Sequence, residues 1–179
     1  MNKTIEEYTK EIHQQNVSVG WWDNPDECIY QKIQLISTEI CEATEGERKN
    51  LMDDHLPTRK MGEVELADAL IRTLDLGAKL GCTYTELTSK RRSPFIRECN
   101  SIGKQHLGLT VALVDWATSF HLDDEVSNSN YSVLVNGILC CAEINNYNIF
   151  DAMDEKIIYN KTRQDHSRAK RKQAGGKTF

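Results

Sequence analysis

The chain has 179 residues, 39% of them hydrophobic and 27% charged, with a formal net charge of −5; that is enough for one sizeable core but short for two independent domains. Such a balance excludes disordered and collagen-like classes, and the acidic total gives no overall reason to bind nucleic acid or an anionic membrane. No apolar run approaches the roughly 18 residues of a membrane span, no secretory signal opens the chain, and six cysteines without CxxC spacing read as buried reduced thiols, so the expected compartment is cytoplasmic.

Ile5, Tyr8 and Ile12 recur at helical spacing in a first segment that ends near Asn16. After Val19-Gly20-Trp21-Trp22, Asp23 or Asn24 can cap a second helix, and Pro25 suits its first turn, where a missing N–H costs nothing. Ile29, Ile33, Ile36, Ile40 and Ala43 then alternate spacings of four and three, the seam of a bundled helix that should run to about Arg48. Lys49 to Gly62 shows little period and contains Pro57, which reads as a connecting loop. The third helix, from about Glu63 to Leu80 with Gly81 just past its end, is apolar around most of its circumference and has to be covered on most sides.

Thr85 can cap a shorter helix through Arg92, and another follows Ser93-Pro94 and carries Ile102 to Phe120. Beyond a polar break over Asp123 to Asn130, two more helices are predicted, about Tyr131 to Asn145 and Phe150 to Gln164. No strand pair is evident. The expected fold is all-α: one helical-bundle domain over residues 1–165, followed by a basic tail over 166–179. Arg163, Arg168, Lys170, Arg171, Lys172 and Lys177 crowd that end, which is either a frayed solvated tail or a phosphate-gripping arm. Segments 81–92 and 146–163 are faintly alike, each a turn, a capped helix and a basic end, as a worn duplication would be.

Two acid couples stand out. Glu39 and Glu42 are three apart, as are Glu65 and Asp68, so each couple projects from one face of its helix. With 27 acids in the chain, about four such pairs arise by chance, and a lone pair reads as a solvated face. Context separates these two. Glu65, Asp68, Arg72 and Asp75 form a narrow stripe flanked by large aliphatics, and Glu39 and Glu42 each precede a seam residue, so both couples lie at the edge of a packing surface. Four carboxylates gathered there repel, which raises their pKa values or recruits a cation. Oxygen-only ligands favour magnesium, with manganese as a substitute, over zinc. A di-iron site needs Glu-x-x-His pairs, which the chain lacks.

Lys156, Asn160 and Arg163 fall at i, i+4 and i+7 on the last long helix, a donor-rich stripe suited to polyphosphate oxygens or to plain surface decoration. Of Trp21 and Trp22, one is expected to pack in the core, and the other either offers a flat face to a nucleobase or packs as well. His13, His55, His106, His121 and His166 show no ligand spacing and read as structural or solvated.

Through Lys32–Gly46, Glu63–Gly81 and Asp151–Phe179 the chain resembles the MazG-like all-α nucleoside triphosphate pyrophosphohydrolases, particularly the compact phage and bacterial versions. Their pattern is ExxE, a spacer, then ExxD; here Glu39-x-x-Glu42 and Glu65-x-x-Asp68 match it, together with the phrase ELADALIR and a later K-x-x-x-N-x-x-R. The resemblance implies magnesium-dependent cleavage between the α and β phosphates of a (d)NTP to give monophosphate and pyrophosphate. Glu39, Glu42, Glu65 and Asp68 would hold the metal and form the catalytic set, with Glu45 a candidate base, while Lys156, Asn160 and Arg163 would bind phosphates. It also implies a dimer or tetramer, with which the apolar third helix agrees. Thr38 where many relatives carry an acid, and the long stretch from Ser93 to Asn130, depart from the pattern. The alternatives are a non-catalytic bundle that binds a nucleotide or partner, and a purely structural bundle.

Overall fold

The computed structural model describes residues 3–24, 28–87, 101–122, 127–163, 167–171, 173–174 and 177, apart from the side chains of residues 121 and 122. Among the described residues are α1 (Ile5–Ser18), α2 (Ile29–Lys49), α3 (Met61–Leu80), α4 (Ile102–Leu122), α5 (Asn128–Ile144), α6 (Ile149–Thr162) and the single turn α7 (Arg168–Arg171). No strand occurs among them, only an isolated antiparallel bridge between Met52 and Lys60. The fold is an all-α bundle.

Local chemistry sets the helix ends. Thr4 and Glu7 form a reciprocal capping box at the start of α1, satisfying two backbone donors that the first turn leaves open. Helix α2 begins at Ile29 with Cys28 as its N-cap, not after Asp23 or Asn24. Helix α3 ends at Gly81, whose backbone is left-handed as the sequence predicts. The loop between α2 and α3 is irregular but tied: Asp53 Oδ1 accepts from the backbone N–H groups of His55 and Leu56, and Met61 N–H donates to Leu51 O.

Three expectations need correction. Residues 82–87 are not helical, so Thr85 caps nothing within the described residues; its N–H donates instead to the Ser132 hydroxyl. Residues 82–87 lack the helix that opens at Ile149 in the segment they are expected to resemble, and residues 88–92 and Pro94 lie outside the description. The thiols are not uniformly buried either, because Cys28 and Cys41 are exposed and Cys82 is half-buried, while Cys140 and Cys141 are buried.

Helix α3 is the axis of the bundle. It packs against α1, α2, α5 and α6, which explains its apolar circumference without a second chain. Leu66, Leu70 and Leu74 are fully buried there and share one continuous core with Ile36, Ile40 and Ala43 of α2; each such side chain contributes roughly 1.5–3 kcal/mol by leaving water. The apolar residues that stay exposed lie elsewhere, with Leu107, Val111 and Val114 forming a ridge on α4. No helix among the described residues is long and apolar enough to cross a membrane.

Candidate functional site

Packing of α2 on α3 brings the two acid couples together. Oxygens of Glu39, Glu42 and Glu65 lie within 4.8 Å of one another. Glu39 and Glu65 are only 5% and 8% exposed, whereas Glu42 opens to solvent. Since Glu39 sits one residue before Ile40 and Glu65 one before Leu66, the apolar seam that buries those neighbours carries the carboxylates to the edge of the core.

Asp68, the fourth acid, stands one turn along α3 and is partnered by Lys156 of α6, with Nζ 2.8 Å from Oδ2. Lys156 is 3% exposed, so it points into the acid site instead of standing on an open donor stripe. Glu39 in turn accepts from Nε of Arg72 at 2.5 Å. Glu45 faces other partners: Arg48 and Lys49 hold its carboxyl down at about 2, which makes it a poor proton acceptor.

The site favours a proton on Glu65. Burial first, then the charge of Asp68, then a hydrogen bond that protonated Glu65 donates to its neighbour Glu39, push the Glu65 carboxyl up to about 9. Burial and Glu39 likewise raise Asp68, against the pull of Lys156. An oxygen-only donor set on two helices, one member neutralised by a proton, fits a hard divalent cation, which would replace that proton.

Beside the cluster, Asp68 and Arg72 form part of the wall of a cavity of about 290 Å3. Trp21 and Trp22 line it, as do aliphatic side chains that include Ile71 and Leu76, and the polar groups Gln15, Asn16, Asn160 and Arg163. The sequence-predicted Asn160, Arg163, Trp21 and Trp22 therefore meet in one pocket, and Lys156 lies behind it in the acid site. The side-chain oxygens of Gln15 and Asn160 are buried without a donor among the described residues.

Asp75, one turn beyond Arg72 on the same stripe, holds the aromatic wall. Its carboxylate receives His13 Nδ1 at 2.7 Å, Asn16 Nδ2 at 2.7 Å and the Trp22 indole N–H at 3.0 Å. Lys32 and Lys79 stand over the Trp22 ring at 4.9 and 5.4 Å. Asp75 belonged visibly to the acid stripe in the sequence, but the roles of His13, Asn16 and Lys32 have no local signal, because their partners are more than 50 residues away or are aromatic faces.

The fold and site thus define an all-α bundle with a carboxylate cluster beside an aromatic-walled pocket. Compared with protein-family models, curated proteins and solved structures, the chain matches none.

Proposed function

We propose that this chain is a magnesium-dependent nucleotide pyrophosphohydrolase that cleaves the α–β phosphoanhydride of (d)NTPs to monophosphate and pyrophosphate. The observation that carries the reading is the meeting of Glu39, Glu42 and Glu65 from two helices at the border of a pocket walled by tryptophans and cations. Neither feature alone implies this chemistry; their adjacency supplies a place for the base and a place for charge beside it.

Trp22, fixed through Asp75, offers its face to the base, while the buried acceptors of Gln15 and Asn160 suit amino or hydroxyl groups of base and sugar. Arg163, and Arg72 from its place against Glu39, would meet the phosphates. Glu39, Glu42 and Glu65 would hold magnesium, with Asp68 reaching it by leaving Lys156. The ion, when bound, supplies charge neutralisation for the phosphoanhydride. An acid of the cluster, freed of its retained proton, orients and deprotonates the attacking water.

Incubation with each (d)NTP and magnesium tests this: pyrophosphate release that vanishes in Glu39→Ala and Asp68→Ala supports it, and no turnover of any nucleotide refutes it. One observation favours the second reading, a non-catalytic nucleotide-binding bundle. Arg72 and Lys156 already satisfy Glu39 and Asp68 without a cation. That reading predicts nucleotide binding with no hydrolysis under any divalent metal.

We also propose a homodimer, built on α4 instead of α3. Lys104, Leu107, Val111, Val114 and Thr118 follow one another at spacings of three and four, and Leu107, Val111 and Val114 are 58%, 42% and 52% exposed. Lys104 and Asp115 are the only Lys, Arg, Asp or Glu residues of α4. Antiparallel pairing about Val111 brings each copy's Lys104 within one helical turn of the other's Asp115.

A further inference from the structure

Among its described residues the basic C-terminal arm is largely exposed, yet Arg168 and Arg171 fasten it beside the pocket. Arg168 makes a bidentate pair with Asp23, with Nε 2.7 Å and Nη2 3.0 Å from the two carboxylate oxygens. It also donates to the carbonyls of Ser18 at 2.6 Å and Val17 at 3.3 Å. Those carbonyls belong to the last turn of α1, which has no basic residue of its own. A helix C-terminus leaves its final carbonyls open and attracts cations, so Arg168 completes α1 from 150 positions away.

The seat is built for this guanidinium. Gly20 has φ +84, and a Cβ there would lie 2.5 Å from Arg168 Nε and 2.4 Å from Asp23 Oδ2. Only glycine supplies both that backbone conformation and that space. One turn on, Arg171 donates to Val19 O at 2.5 Å and lies over the Trp21 ring at 4.1 Å. Trp21 lines the pocket, and so does Lys177, six residues further along the arm.

We propose that the arm is part of the substrate site: Arg168 and Arg171 dock it on the turn after α1, and Lys177, delivered to the pocket, contacts the substrate's polyphosphate. This rests on the nucleotide reading above. Its chemistry follows from charge. A polyphosphate next to the acid cluster is repelled unless cations surround it, and in a chain of net charge −5 the arm is the densest local source of them. Arg171 on the Trp21 face couples the arm to the aromatic wall, so one docking event positions both the wall and Lys177.

The test is calorimetric binding of the α,β-methylene analogues of the four dNTPs, with magnesium chloride, and of the matching monophosphates, to the full chain and its variants. Lys177→Ala should weaken the triphosphate analogue about tenfold while leaving the monophosphate unchanged, and Lys177→Arg should restore affinity. Asp23→Ala should weaken the analogue in the same direction. It should also speed tryptic cleavage after Lys170 and Arg171, which the bound analogue should slow in the wild type. Unchanged analogue affinity in Lys177→Ala, or equal cleavage with and without saturating analogue, overturns the arm's role and leaves the nucleotide reading standing. Failure of the wild-type chain to bind any analogue overturns both.

Discussion

The indole N–H of Trp22 donates to Asp75, 3.0 and 3.2 Å from its two carboxylate oxygens, and the same carboxylate receives His13 and Asn16. A buried acceptor with three donors fixes the plane of the ring that walls the pocket. Replacing Asp75 by Ala strands these donors at a cost of about 2–4 kcal/mol and lets Trp22 turn. Asp75→Ala should therefore lower the unfolding midpoint in urea, and by the proposed function raise KM for the nucleotide about tenfold or more with a smaller change in kcat. A Trp22→Phe chain, keeping a flat face but losing the anchor, should fall between the two.

Metal and pH are linked through Glu65. Burial, Asp68 and Glu39 raise its folded-state pKa from 4.5 to about 9, so between those values the metal-free folded state holds a proton that the unfolded chain has released. Stability of the metal-free protein should then fall as pH rises through that window, and the contribution is fully present below 4.5. Glu65→Gln removes the titration: thermal melts in EDTA should show a flatter pH profile and a midpoint equal to or above wild type at pH 8. Magnesium displaces the proton, so calorimetry in buffers of different ionisation enthalpy should detect proton release on binding, and affinity should rise with pH.

The Asp68–Lys156 pair is the buried contact whose loss should hurt most. Lys156 is 3% exposed and 2.8 Å from its partner; removing Lys156 leaves Asp68 without its buried partner, either charged or forced to take a proton, at a cost of up to about 3–5 kcal/mol. Lys156→Ala should unfold at markedly lower urea than the paired Asp68→Ala/Lys156→Ala chain, a coupling that a double-mutant cycle measures directly.

Helix α4 gives a prediction about assembly. Val111→Glu places a charge at the centre of the exposed Leu107–Val111–Val114 ridge, and sedimentation should show a dimer becoming a monomer with an unchanged melting profile at high dilution. A Lys104→Glu change should weaken the dimer, and adding Asp115→Lys should restore it, because the proposed pairing sets those two charges against each other.

Much of this was legible in the sequence, for definable reasons. The seam of Ile33, Ile36, Ile40 and Ala43 and the stop at Gly81 depend on neighbours within a turn or two, and they place α2 and α3. The edge position of Glu39 and Glu65 follows from the same periodicity. The start of α2 at Ile29 has no local signal, and Asp23, a good capping residue, is held instead by Arg168 at a distance of 145 positions. Lys156 reads from spacing as a surface donor, yet it is buried, because the acid that holds it is on another helix. The same limit hid the α4 ridge, since the apolar excess of α3 is the louder signal and only the packing of α1, α2, α5 and α6 shows that it is already covered.

The central claim is that acids from two separate helices share one cation. Titration of manganese, followed by the loss of free-ion electron paramagnetic resonance signal, tests it most directly in wild type, Glu39→Gln on α2 and Glu65→Gln on α3. The account predicts binding by the wild type and a loss of more than about tenfold in affinity in each variant, because each removes a ligand of the same ion. A wild-type chain that takes up no manganese, or a variant on either helix that binds as tightly as wild type, would contradict it.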